Sequence, residues 1–237
     1  MPGSHLLKSQ QLAARVVGMN FLLAIAIVVL ANYGISFRLL IPGDAANTAR
    51  NIIENEMLFR LNIACNLIYV INVVILISGL YVVLKSAGQI LAIVAAFLRL
   101  FYGMMWAVTA LNMLGALRIL GDATYLPVFG SDQLQTLARL HISIDAYYIG
   151  LPFWGLSSAI CSYLWLKSNF IPRALAIFGL ASSVWCLICS LAFIVYPGFE
   201  ATVNAYLFDM PLVLFETAIG VWLLSKRLGN SSKTVAS

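Results

Sequence analysis

The stretch LNIACNLIYVINVVILISGLYVVL, Leu61–Leu84, decides the fold. It carries no charge and exceeds the ~20 apolar residues a helix needs to cross a bilayer. Arg60 precedes it and Lys85-Ser86-Ala87-Gly88 follows, so polar punctuation closes both ends. Working outward, similar uncharged runs occupy Val16–Phe37, Ala146–Leu166 and Ala174–Phe199. Two further runs tolerate charge: Gln89–Leu117 contains Arg99, and Ala201–Ser225 contains Asp209 and Glu216. The reading is an all-α, polytopic membrane helical bundle. Its six transmembrane helices lie near 16–40, 57–84, 89–117, 133–167, 172–196 and 201–225, with a short interfacial helix after the first. Residues 1–15 read as a tag remnant and cytoplasmic segment, 16–225 as one transmembrane domain, and 226–237 as a cytoplasmic tail.

Composition agrees. The chain of 237 residues is 62% hydrophobic and 10% charged, against about a quarter charged in soluble domains. That much apolar surface cannot be hidden around one water-soluble core, so lipid is the solvent. The net charge of +5 does not point to nucleic acid, because the basic residues are spread along the chain and form no stripe. The opening Met1-Pro2-Gly3-Ser4-His5 is left out of the fold reasoning as a tag-like scar. Val29-Leu30-Ala31 resembles a signal-peptide cleavage site, but the apolar run is long enough to span, which predicts an uncleaved first helix.

Charge placement sets the orientation. With the N-terminus inside, Lys8, Arg15, Lys85, Lys167, Arg173, Lys226, Arg227 and Lys233 fall at inner ends. The nine acids fall in outer loops or within spans. Lysine and arginine retained on the cytoplasmic side predict that both termini lie inside. Asp44 is placed to cap a helix from Ala45, with Ala45, Ala49, Ile52 and Ile53 on its apolar face. Asp132 with Gln135 reads as a capping box opening a fourth helix that runs from Asp132 to Lys167, about 50 Å.

Arg15-Val16-Val17-Gly18, Ile41-Pro42-Gly43-Asp44-Ala45-Ala46-Asn47-Thr48, Leu58-Phe59-Arg60, Leu80-Tyr81-Val82-Val83-Leu84, Phe97-Leu98-Arg99-Leu100, Ile149-Gly150-Leu151 and Pro172-Arg173-Ala174-Leu175 occur in order along the chain. In these stretches the chain resembles a bacterial multi-pass membrane family defined only as a domain of unknown function. The resemblance runs from about Arg15 to Leu224 and implies no activity.

Ionisable groups inside spans are costly and are therefore candidate functional residues. Arg99 and Glu216 each lie ten residues from an inner end, about 15 Å deep, which predicts an ion pair near midplane. Such a pair serves either as a packing bridge or as a polar substrate or proton site. Nearer the outside lie Arg60, Asn66, Asn112, His141, Asp145 and Asp209. His141 and Asp145, four apart, would share a helix face as an acid–base pair, or as a metal pair were more ligands at hand. One histidine outside the scar excludes bis-histidine haem and three-histidine centres, so no metal and no cofactor is assigned. The plainer reading of this outer set is a wet helix end.

Pro152 and Pro211 each read as a break inside a span, freeing carbonyls that would line a wet cavity. Tyr69, Tyr102, Trp106, Tyr147, Tyr148, Phe153 and Trp154 would serve as pocket lining or as packing and anchoring groups. Cys186 and Cys189 form a C-x-x-C spacing, but they sit mid-span and read as packing residues. The polar groups concentrate on the second, third, fourth and sixth helices. Arg60, Asn66, Arg99, Asn112, His141, Asp145, Asp209 and Glu216 are thus expected to share an outward cavity, with the first and fifth spans peripheral. The leading function is non-enzymatic: binding of an apolar or amphiphilic small molecule within the lipid bilayer, or service as an accessory membrane subunit. A small-molecule transporter and an intramembrane enzyme acting on lipid are the rivals.

Overall fold

A computed structural model of the chain describes residues 2–121, 128–142, 145–196, 198–204 and 207–225. Those residues are helical with short connections, and no strand occurs among them. Helix α1 is Pro2–Val28. It continues without a break as a π-helical stretch, Val29–Ser36, and a last turn at Phe37–Leu39. Helix α2 is Ala45–Glu54. The long segment Glu56–Leu120 breaks at Gly88, whose backbone is non-helical, into α3 (56–87) and α4 (89–120). Helices α5 (Ser131–His141), α6 (Asp145–Ser168), α7 (Arg173–Val195) and α8 (Met210–Ser225) follow. Lys8–Leu39, Glu56–Leu120, Ser131–Ser168 and Arg173–Val195 are long and apolar enough to cross a membrane, while Met210–Ser225 is apolar but shorter. The expected all-α bundle of membrane helices is what the chain forms.

The chain divides into two compact units. One comprises Met1–Ile25, Asn72–Gly103 and Tyr148–Ser237. Here small residues let helices approach closely. A Cβ on Gly18 of α1 would lie 2.8 Å from the Gly220 carbonyl oxygen of α8, and one on Gly155 of α6 would lie 2.9 Å from the Leu187 nitrogen of α7. Helix association in lipid depends on such contacts, because apolar burial contributes little there. Helix α7 buries Ala176, Gly179, Ser182, Ser183, Cys186, Cys189 and Ser190. Both C-x-x-C cysteines are unbridged and enclosed within this face.

The other unit comprises Ala26–Ile71 and Met104–Tyr147. Its core joins Ile35 and Leu39, Ile52 of α2, Phe59 and Ile63 of α3, Met113 and Ile119 of α4, and Ala138 of α5. The Asp44 carboxylate caps α2 by accepting from the Asn47 backbone N–H at 2.9 Å, as the spacing predicts. Thr48 ties the cap to the preceding turn, since its hydroxyl accepts from the Ile41 N–H at 2.9 Å. The buried face of α2 is Thr48, Ala49 and Ile52, whereas Ile53, expected beside them, points outward.

Four sequence expectations need correction. The expected fourth helix is interrupted after His141: α5 ends there, Ile142 lies in a turn, and helix is described again from Asp145. The N-cap of α5 is Gly130, not Asp132, and the Gln133 side chain accepts from its backbone N–H at 3.1 Å. The last helix begins at Met210, so Pro211 sits in its first turn. There the missing N–H costs nothing, and Pro211 starts the helix instead of kinking it. The first span is not peripheral: Asn20 of α1 is buried and accepts from the Asn72 side chain of α3 at 2.8 Å.

Candidate functional site

Arg99 of α4 and Glu216 of α8 meet inside the first of these units, as their matching depths predict. Guanidinium Nη2 lies 2.7 Å from Glu216 Oε1. Arg99 is 3% exposed and Glu216 4%, so the pair is withdrawn from solvent. The α6 face between them completes the site. Trp154 Nε1–H donates to the same Oε1 at 2.8 Å, and Arg99 Nη1 donates to Ser158 Oγ at 2.8 Å. Ser158 Oγ stands 3.5 Å from Oε1, which lets its own proton turn toward the carboxylate. The Arg99 guanidinium also lies over the Trp154 ring, 5.7 Å from its centroid, and Tyr102 stacks on that ring at 5.6 Å.

This arrangement has a clear physical logic. A lone charge in a membrane interior is expensive, and two charges cost less only when paired and hydrogen-bonded. Here three donors converge on one carboxylate oxygen, while the cation is shared among an anion, a hydroxyl and an aromatic face. Trp154 and Ser158 are four residues apart on α6, so they present to the pair from one helix face. Both follow Pro152, which lies inside α6.

A narrow crevice adjoins the pair. It is lined by Ile77, Leu80 and Leu84 of α3, Ala92, Ala95, Ala96 and Arg99 of α4, and Ser157 and Cys161 of α6. Its free volume of about 10 Å³ suits a single water molecule. Ser157 Oγ donates to the Ala95 carbonyl at 2.7 Å.

The remaining candidates are placed differently. Arg60 is exposed and pairs with Glu56 one turn away at 2.7 Å. Asn66 is buried and donates to the Asn62 carbonyl at 2.8 Å, while Asn62 donates to Ser36 Oγ at 2.8 Å. Asn112 is half-buried. His141 is exposed, with its ring against Gly115: a Cβ there would lie 3.0 Å from Nδ1. The Asp145 side chain lies outside the described residues, as does its pairing with His141. Asp209 precedes α8, and its carbonyl accepts from the Leu212 N–H at 2.9 Å. Of the eight, the structure joins Arg99 with Glu216, and Arg99 alone of them lines the crevice. Among the described residues, no three His, Cys, Asp or Glu side chains converge.

Ser157 and Ser158 were missed from sequence. Serines are common in membrane helices, and the available signal was the spacing of Ser158 from Trp154. The second polar pair, Asn20 with Asn72, was missed because neither residue is ionisable.

A family profile described as a domain of unknown function, DUF4386, matches residues 16–226. The chain belongs to this family. The match spans the polar centre and the helices from the second half of α1 through α8, so the Arg99–Glu216 pair lies within the family's domain and not in an appended segment. No curated protein and no solved structure matches the chain.

Proposed function

We propose that this chain is a six-span protein of a bacterial cytoplasmic membrane, with both termini inside, and that it serves as an accessory membrane subunit. The spans would be α1, α3, α4, α6, α7 and α8. Support for the orientation comes from the basic residues at the Gly88 hairpin, the α6–α7 turn and the C-terminal tail.

The observation that carries the accessory role is that, among the described residues, most of the interior charged and amide side chains are engaged with one another. Arg99, Glu216, Trp154 and Ser158 form one group, Asn20 and Asn72 a second, and Ser36, Asn62 and Asn66 a third. A binding or catalytic interior keeps convergent polar groups for its ligand. An interior closed on itself leaves the outer faces of the helices to do the work. A second reading, binding of an apolar or amphiphilic molecule, draws support from the crevice wall of leucine, isoleucine and alanine beside Arg99.

Extraction with a styrene–maleic copolymer, which keeps native lipid around the protein, separates the two. The accessory reading predicts a discrete complex with another membrane protein at fixed stoichiometry. A chain that elutes alone, carrying one amphiphile that survives lipid exchange, would contradict it and support the second reading.

A further inference from the structure

We propose that the crevice beside Arg99 is a water site, and that it hydrates the buried ion pair from the side nearer the Gly88 hairpin. Three observations support this. The crevice runs along the α3–α4 hairpin: Leu84 and Ala92 each lie four residues from Gly88, while Ile77 and Arg99 lie eleven from it. Eleven residues of helix cover about 16 Å, roughly half the hydrocarbon thickness. The crevice thus lies between the hairpin and the depth of the ion pair, and begins about one turn inside the hairpin.

The second observation is chemical. A buried water needs two to four polar partners. Arg99 and Ser157 both line the space. Arginine carries five N–H donors and accepts nothing. The Ser157 proton is directed at the Ala95 carbonyl, so its oxygen lone pairs remain to accept. A water between them accepts from the guanidinium and donates to the serine, so both of its roles are filled. An acyl chain is a poorer occupant, since its apolar end would lie against a cation.

The third observation is size. About 10 Å³ of free volume holds a single water, while three alanines face leucine and isoleucine across the gap. The occupant is therefore a water molecule that hydrates one side of the ion pair. Glu216 is faced by Arg99 from α4 and by Trp154 and Ser158 from α6. Because Trp154 N–H bonds Glu216 directly, its exchange with solvent reports whether water reaches this centre.

The test uses the full chain in lipid nanodiscs, with heavy-nitrogen-labelled indoles followed by NMR after transfer to D2O. Trp154→Phe assigns the Trp154 signal. Ala92→Leu plugs the crevice near the hairpin and Ala95→Leu fills its middle, with Ala92→Val and Ala95→Val as milder versions should the leucines fail to fold. The proposal predicts that Trp154 exchanges in the native fold and slows at least about tenfold in the folded filled variants. An unchanged rate in every folded filled variant overturns the water site, as does exchange seen only on global unfolding. Neither result bears on whether the protein has a partner subunit, so the accessory reading stands or falls separately.

Discussion

Three donors meet at Glu216 Oε1, and that geometry defines what each residue is worth. Removing either charge leaves the other buried and unmatched, which costs about 3–5 kcal/mol in comparable buried pairs. Arg99→Met or Glu216→Leu alone should therefore lower stability by about that amount, and the double variant should lose less than either. Graded sodium dodecyl sulfate unfolding in mixed micelles measures this, and single variants as stable as the native chain would remove the pair from the account. The pair was legible in the sequence because two lone charges at equal depth in apolar helices have few places to go. Trp154 was visible only as one aromatic among seven, since an indole used for its N–H looks no different from one used for packing. Arg60 was legible as polar, but its partner was not: it finds Glu56 within its own helix, a local solution that spacing alone permits.

At the level of elements, the sequence marked where helices exist better than where they break. Apolar runs of span length determine existence, because backbone groups in lipid must bond within the helix. Breaks depend on weaker local preferences. A turn at Ile142 ends α5 where continuity was expected, and Pro211 was read as a kink when a starting position tolerates proline without loss. The Asp44 cap was read correctly, because an Asp before an alanine-rich amphipathic segment has a single good use. That cap carries a pH signature. The Asn47 backbone N–H, followed by its side-chain amide, holds the Asp44 carboxyl below the usual carboxylate range. The native pKa thus lies under the unfolded one, near 3.9. The cap contributes fully above the unfolded value and is lost as pH falls through the lower native value. Amide protection factors across residues 45–54, taken relative to intrinsic exchange at each pH, should fall on such acidification, and Asp44→Ala should show the lower protection already at neutral pH. An acid response that persists in Asp44→Ala would assign it to another group.

For the whole molecule, charge asymmetry and helix length are the arguments that bear on topology. The proposed six-span topology puts Ser86, next to Lys85 in the α3–α4 hairpin, in the cytoplasm, and Asn47 of α2 and Ser131 of α5 outside. In that topology the Arg99 crevice lies on the cytoplasmic half of the span, since it begins one turn from the same hairpin. The four native cysteines are buried, so they give little background to thiol labelling. Single substitutions Asn47→Cys, Ser86→Cys and Ser131→Cys, treated in intact cells with a membrane-impermeant maleimide, test the account most directly. It predicts labelling at 47 and 131, with labelling at 86 only after the cells are opened. Labelling at 86 from outside intact cells, with 47 and 131 protected, would contradict it.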